Sequence, residues 1–92
     1  MQSLIDLIVL SIPAGRAFDS HLVIEELVRQ HTIEYAKFVA PQSDVASAHA
    51  QLSVMVGKSP NANRLMHDGK PVVFHSVNIR LNLSDNAAWL RV

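Results

Sequence analysis

Histidine offers this chain its widest choice of chemistry, because a neutral imidazole can bind a metal or move a proton near neutral pH. The five histidines stand at positions 21, 31, 49, 67 and 75. No two of them have the three- or four-residue spacing that places two ligands on one face of a helix. No carboxylate motif accompanies them. We therefore interpret them as structural or surface residues and expect no metal site.

Two short segments resemble parts of catalytic motifs. Val56-Gly57-Lys58-Ser59 is similar to the end of a phosphate-binding loop, but the full motif requires a glycine where this chain has Leu52. Asp19-Ser20-His21 is the one place where Asp, Ser and His occur together, and it has no nucleophile elbow around it. We interpret it as the cap of a helix. The sequence therefore predicts a protein that is not an enzyme and needs no cofactor.

Length and composition exclude several broad classes of protein. The 92 residues fit one domain, residues 1–92, and 49% apolar against 17% charged residues argues against a disordered tail. Eight basic residues balance eight acidic ones, so neither a generally basic nucleic-acid coat nor an acidic DNA mimic fits. The chain has no cysteine, which fits a reducing cytoplasm. The apolar run Leu4–Pro13 is too short to cross a bilayer, so we expect a cytoplasmic protein that does not associate with membranes.

The first apolar segment predicts a helix. Ser3 can cap it, and Pro13 and Gly15 can end it. It is apolar on most sides, so it should be central. The run Met1–Leu10 could alternatively form a buried strand, since short apolar runs are compatible with both structures.

Three further helices are indicated by caps and helical spacing. Asp19 can cap the second, with Phe18 and Val23 at the two positions of a hydrophobic staple. Thr32 can cap the third, which would run to about Val39. Its inward residues would be Ile33, Ala36 and Phe38.

The fourth helix should start at a cap formed by Ser43 or Asp44 and run to about Val56. Gly57 is placed to end it in the left-handed conformation. Apolar residues recur along this helix at three- and four-residue spacing and should form its buried stripe. They are Val45, Ala48, Leu52, Met55 and Val56.

After Gly57 the pattern changes to that of strands and turns. Asp68-Gly69 is a tight-turn dipeptide that favours a hairpin if strands flank it. Apolar residues alternate with polar ones from Val77 to Leu83, which predicts a strand. We expect a turn at Ser84–Asn86 and a last strand that carries Trp89. The fold class is therefore α+β, with three to four N-terminal helices followed by a small antiparallel β-sheet.

This order of elements resembles the winged helix-turn-helix family. Thr32–Val39, the turn Pro41–Ser43 and Asp44–Val56 correspond to the helix-turn-helix, and the strands after Gly57 correspond to the wing. The resemblance covers most of the chain and implies a small DNA-binding regulatory protein that acts in the regulation of transcription. It implies that the fourth helix enters a DNA groove.

The outward face of that helix should meet the bases. Ser47 and Gln51 would lie near base edges with His49 beside them, and a glutamine amide can bond adenine in the major groove. The helix interior has no Arg or Lys. The charge distribution compensates for this. Residues 1–44 carry three basic and six acidic side chains, a net of −3, whereas residues 45–92 carry five basic and two acidic ones, a net of +3.

Phosphate contacts dominate the affinity for DNA, so the basic C-terminal half should supply them. The expected contacts are Lys58, Arg64 and Lys70. We expect the segment Asp68–Pro71 to approach DNA in preference to a wing tip at Asp85, whose carboxylate would oppose phosphate. The alternative function is a protein-interaction module, either a homodimer or an inhibitor of a larger complex, with no chemistry of its own.

Overall fold

The computed structural model describes residues 1–92 and has an α+β architecture, which confirms the predicted fold class. Four helices come first, and a small antiparallel sheet follows. One short strand between the first two helices was not predicted. The elements in chain order are α1 (Gln2–Ser11), β1 (Ala17–Asp19), α2 (Ser20–Gln30), α3 (Thr32–Val39), α4 (Val45–Gly57), β2 (Ala62–Arg64), β3 (Met66–His67), β4 (Lys70–Pro71), β5 (Val73–Val77) and β6 (Leu83–Arg91).

The last strand, β6, is the centre of the sheet. It pairs with β1 on one side, where Phe18 lies opposite Trp89. On its other side it pairs with β2 and then with β5. The backbone oxygen of Ala88 accepts a bond from Leu65 N at 3.0 Å, and Ala88 N donates to Val72 O at 3.3 Å. Since both groups of one strand residue point to the same side, β2 and β5 follow each other along one edge of β6.

The small β3–β4 hairpin leaves the sheet between β2 and β5. Its turn is Asp68-Gly69, as the sequence predicted. Asp68 has a φ of 51° and Gly69 a φ of 75°, so both central residues are left-handed. That backbone is the one a two-residue type I′ turn requires, which explains why this dipeptide is favoured there.

The longer hairpin joins β5 to β6 through residues 78–82, and here two predictions were wrong. The alternating segment Val77–Leu83 is not one strand but the end of β5, a turn and the start of β6. Asn78 Oδ1 accepts from the backbone nitrogens of Arg80 at 2.9 Å and Asn82 at 3.2 Å. These bonds satisfy donors that the turn leaves open and favour a turn over a strand. The residues predicted to form a turn, Ser84–Asn86, belong to β6.

α1 is a helix and not the alternative strand, but its predicted cap is wrong. Met1 is the N-cap and makes no side-chain capping bond. Ile5, Ile8 and Val9 are buried, whereas Leu7 is 59% exposed and the helix is less central than expected.

α2 begins as predicted. Asp19 Oδ1 accepts a hydrogen bond from Leu22 N at 2.8 Å, so Asp19 caps the helix. Phe18 and Val23, the two staple residues, are both buried in the core. The core also holds residues of α1, α4 and the sheet, and so α2 lies between the other long helices and β6.

α3 has the predicted bounds, and Phe38 packs against the core as predicted, but the other two residues expected to face inward do not. Ile33 is 68% exposed, and Ala36 is exposed as well. Tyr35 packs against the core beside Phe38, three residues away on the same face. Tyr35 and Ile33 lie on opposite sides of the helix, and the larger aromatic pair takes the inner side. Thr32 is not the cap, because its Oγ1 donates back to Val28 O at 2.6 Å.

α4 starts where Asp44 Oδ1 accepts from Ser47 N at 2.6 Å, which confirms the predicted cap. Ala48, Leu52 and Val56 form its buried stripe. Gly57 is not left-handed, contrary to the prediction, and is the last helical residue. Its role is steric, because a Cβ at this position would lie 3.0 Å from Cη2 of Trp89.

Candidate functional site

The six residues predicted to contact DNA lie on three separate parts of the fold. Ser47, His49 and Gln51 are in α4, and Lys58 directly follows that helix. Arg64 ends β2, and Lys70 begins β4. The structure therefore brings the α4 residues and Lys58 onto one element but leaves Arg64 and Lys70 on the sheet side.

A stripe of four residues runs along α4 without being covered by the rest of the protein. It consists of Ser47, Gln51, Val54 and Lys58, which we call the α4 stripe. Their spacing of four, three and four residues places them on one helical face. Ser47 is half-buried, the other three are exposed, and Val54 is 60% exposed. Gln51 Nε2 donates to Gln42 Oε1 at 2.9 Å. Gln51 is exposed and the bond lies at the surface, although Gln42 is half-buried, so Gln51 can exchange this bond for another partner.

His49 lies on a different face of α4 and does not join the stripe. It is half-buried, and its Nε2 is 2.7 Å from the hydroxyl of Tyr35. Burial lowers the pKa of His49, and the nearby charges of Arg80 and His21 lower it further. Burial also raises the pKa of Tyr35, so its hydroxyl stays protonated. The prediction that His49 lies beside Gln51 on the outward face is wrong, because a two-residue step turns a side chain to the far side of a helix.

Arg64 is engaged inside the protein. Its Nη1 donates to Val72 O and, at 2.7 Å, to Ala88 O. Its guanidinium carbon lies 5.5 Å from the centre of the Trp89 ring. These contacts hold the point where the β3–β4 hairpin leaves the sheet. The contact of Arg64 with phosphate stays a prediction, and its observed bonds are structural.

Lys58 and Lys70 are both exposed and take part in no salt bridge. Asp85, which was expected at the wing tip, is instead within β6. Its Oδ1 lies 2.8 Å from Nδ1 of His75 on the neighbouring strand. The cation at the tip of the β5–β6 hairpin is Arg80. It was not predicted as a contact from the sequence, because the turn was placed at Ser84–Asn86.

A cleft of about 300 Å³ separates α4 from the β5–β6 hairpin. One wall is the face of α4 that holds His49 and Ser53, and the other holds Arg80 and Ser84 from the hairpin. His21, at the start of α2, also lines the cleft. The side chain of Arg80 makes no hydrogen bond or salt bridge within the protein. Its charge lowers the pKa of both His49 and Asp44, so it lies close to the N-terminal half of α4.

The imidazole of His21 is fixed by a chain of hydrogen bonds. Its Nδ1 lies 2.7 Å from Ser76 Oγ, and its Nε2 lies 3.3 Å from Ser84 Oγ. Ser76 donates its own hydrogen to Asp19 Oδ2 at 2.8 Å. Ser76 Oγ must therefore accept from His21, which places a hydrogen on Nδ1. The other ring nitrogen, Nε2, faces the hairpin side of the cleft.

Asn86 supports the same cluster from β6. Its Oδ1 accepts from His21 N at 2.9 Å, and its Nδ2 donates to Phe74 O at 2.9 Å. Sequence reasoning did not find this cluster, since Asp19 and His21 are more than fifty residues away from Ser76, Ser84 and Asn86. The only local signal was Asp19-Ser20-His21, which was interpreted as a cap. Asp19 does cap the helix through Oδ1 and uses Oδ2 for Ser76.

No group of three His, Asp or Glu side chains is close enough together to hold a metal ion. None of the helices has the length and apolar character needed to cross a membrane. Comparison with protein-family models, curated proteins and solved structures returns no match to this chain.

Proposed function

We propose that this protein binds double-stranded DNA, with the α4 stripe in the major groove and the tip of the β5–β6 hairpin on the adjacent backbone. The observation that carries the proposal is the uncovered α4 stripe beside a hairpin tipped by Arg80. A groove-reading helix needs one face packed on the core and another free to approach base edges. α4 has both, since Ala48, Leu52 and Val56 are buried on its opposite side.

The side chains of the stripe suit close approach to bases. Ser47 is small, and Val54 can contact the methyl group of thymine. Gln51 can give up its bond to Gln42 and form two hydrogen bonds with adenine instead, to the N6 amino group and to N7. His49 is excluded from base contact in this proposal, because Tyr35 and the cleft hold it away from the stripe.

Two cations lie along α4. Arg80 lies near its N-terminal half and Lys58 at its C-terminal end. The 13 residues of α4 span about 20 Å. That length exceeds the roughly 12 Å width of the major groove, so the two cations can reach the phosphates on its two borders. Lys70 would add a third contact from the β3–β4 turn. With a net charge of zero, we expect weak and salt-sensitive binding to arbitrary sequences.

The topology supports membership of the winged helix-turn-helix family as part of the same proposal. The last strand, β6, pairs antiparallel with β1 on one side and with the hairpin strand β5 on the other. α4 precedes that hairpin, as a recognition helix precedes a wing. A DNA-binding role would place the protein with the DNA, which in a bacterial cell is in the cytoplasm.

The proposal is tested by fluorescence anisotropy with a random-sequence DNA duplex at low salt. Arg80→Ala should weaken binding to every duplex. The matched control is Arg16→Ala, which removes an equally charged, exposed side chain at the other end of the sheet. Arg16 is bonded to Arg91 at one end of β6, and the hairpin tip with Arg80 precedes Leu83 at the other end. The length of β6, about 30 Å, therefore separates the two sites. Equal losses in the two variants would show that general charge, and not this surface, holds the DNA.

A second candidate is supported by the outer face of the same hairpin. Val73, Val77 and Leu83 are 54%, 51% and 64% exposed there. β5 is bonded only to β6, so its other edge is open. Exposed apolar strands with open edges are sites of strand pairing. A second copy is the occupant we consider, because antiparallel pairing of β5 with itself around His75 places Val73 of one copy opposite Val77 of the other.

Light scattering coupled to size exclusion tests this candidate over a wide range of protein concentration. Val77→Lys should abolish a dimer formed through β5. Leu81→Lys is the control, since Leu81 is 85% exposed at the tip but lies outside the strand. A monomer at every concentration would eliminate homodimerisation as the function of this face.

A further inference from the structure

The cleft between α4 and the β5–β6 hairpin has a chemistry that groove contact does not require. Its polar groups come from three elements and are mostly donors or groups that become donors on protonation: His21, His49, Ser53, Arg80 and Ser84. The one carboxylate among its lining residues is that of Asp85, and that group is bonded to His75. The cleft is therefore suited to an anion.

Arg80 is the strongest donor in the cleft. A guanidinium binds a carboxylate or a phosphate through two parallel hydrogen bonds, and its charge does not depend on pH in the ordinary range. The side chain of Arg80 has no partner within the protein, while its backbone nitrogen is bonded to Asn78 Oδ1 at 2.9 Å. The hairpin turn thus fixes the base of a side chain whose head is free.

His21 is the group in the cleft that is held by the most hydrogen bonds. Ser76, Ser84 and Asn86 bond its two ring nitrogens and its backbone nitrogen. With a hydrogen on Nδ1, the uptake of a proton occurs at Nε2, on the side of Ser84 and the cleft. Protonation then converts an acceptor into a charged donor, and Asp19 at the end of the Ser76 bond partly balances the new charge.

We propose that this cleft binds the oxyanion group, phosphate or carboxylate, of a small molecule between Arg80, His21 and His49. The volume of about 300 Å³ is at the lower end of the range for small-molecule sites. The proposal does not rest on DNA binding, but the two proposals share Arg80, so a bound molecule would compete with DNA phosphate for that side chain. Two histidines in the cleft make binding tighter at mildly acidic pH.

The charged and titratable groups around the two histidines agree on the direction of this pH dependence. His49 faces Tyr35 on α3, His21 on α2 and Arg80 on the hairpin. None of these is an anion, and the carboxylate of Asp85, which also lines the cleft, is bonded to His75. Around His21, the carboxylate of Asp19 acts through Ser76, and that of Asp85 lies in the same cleft but is bonded to His75. A bound oxyanion would supply a negative charge beside His49 and offset the lowering of its pKa.

The test is a titration followed by two-dimensional NMR of the histidine side chains, without DNA and at mildly acidic pH. The probes are inorganic phosphate and acetate, added separately. The ionic strength is held constant with chloride. We expect phosphate, acetate or both to shift the resonances of His21 and His49 to saturation, while those of His31 and His67 change little. Arg80→Ala should weaken the binding at least tenfold. Lys37→Ala, which removes an exposed cation on α3, should leave it unchanged.

Three results would overturn the proposal: no saturable shift with either anion, equal shifts at all five histidines, or binding that Arg80→Ala leaves unchanged. A duplex of DNA forms a separate arm. Shifts with DNA but with neither small anion would assign the cleft to the DNA backbone and would also refute a small-molecule site. Saturable phosphate or acetate binding in a protein that fails to bind DNA would support the site while refuting the proposed function. Thermal melting of Arg80→Ala checks that the exposed substitution leaves the fold intact.

Discussion

Gly57 packs closely against Trp89, since a Cβ on Gly57 would lie 3.0 Å from Cη2 of the indole, a distance tighter than most Cβ contacts. The indole cannot easily move away. Its Nε1 donates to Ser20 Oγ at 2.9 Å, and the guanidinium of Arg64 covers its ring. This one approach joins the end of α4 to the middle of the sheet and sets how α4 sits relative to the hairpin.

Gly57→Ala should therefore destabilise the protein, even though alanine is the better helix former. Overpacking costs about 1–3 kcal/mol, and the gain in helix propensity offsets up to about 1 kcal/mol of it. Urea unfolding measures the difference. In a Trp89→Phe background, where the smaller ring leaves space, the same substitution should become neutral or stabilising. If Gly57→Ala raised the stability of the protein that keeps Trp89, the steric explanation would be refuted.

Phe18→Ala should produce a larger loss. Phe18 is 3% exposed and lies in the core beside residues of α1, α2 and the sheet, so removing its ring costs about 3–5 kcal/mol. Phe38→Ala is the matched control, because Phe38 is only half-buried and should cost less. Equal unfolding free energies for the two variants would contradict the assignment of Phe18 to the core.

The cap of α4 should make stability depend on pH in the acidic range. The backbone bond from Ser47 holds the pKa of Asp44 below its usual value. A carboxyl with a lowered folded pKa stabilises the protein above its unfolded pKa of about 4, and the contribution is lost as pH falls through the folded pKa. Asp44→Asn keeps a capping acceptor and should flatten this dependence. Unfolding curves at a series of acidic pH values measure it, and an unchanged slope would remove Asp44 from the account.

His49 should give a second pH dependence closer to neutrality. Its pKa is lowered by burial, so the unfolded chain takes up a proton at a higher pH than the folded one. Stability is then complete above about pH 6.5 and decreases as pH falls below that value. His49→Gln keeps a polar partner for Tyr35 and removes the titration. The difference between wild type and variant in urea unfolding at several pH values isolates the effect, and wild-type stability that rises on acidification would contradict the sign.

Much of the fold could be predicted because its signals are local. Asp19 and Asp44 cap helices through backbone groups three residues away, and Asp68-Gly69 forms a turn by its own backbone preferences. The inward position of Tyr35 on α3 could not be predicted, since it depends on Tyr35 meeting His49, fourteen residues later. The β5–β6 turn was missed because Asn78 and Asn82 occupy the polar positions of an alternating pattern, which a strand would also show.

The candidate site was predicted less well than the fold, and for a related reason. Ser47, Gln51 and Lys58 follow from helical spacing alone and do share the uncovered stripe. Arg80 and the support of His21 depend on the pairing of β5 with β6, which places residues 76 and 84 opposite each other. No pattern within a short segment contains that information.

The salt dependence of DNA binding tests the central claim most directly, because it measures how many phosphates the proposed surface meets. For the wild type, anisotropy titrations with a random duplex at several salt concentrations should give a linear fall of log K against log salt. The variant with Lys58, Lys70 and Arg80 all replaced by Ala should lose about 2.7 of that slope, since each phosphate contact contributes about 0.9. A wild-type protein that shows no binding at tens of micromolar and low salt, or a triple variant with the wild-type slope, would contradict the account.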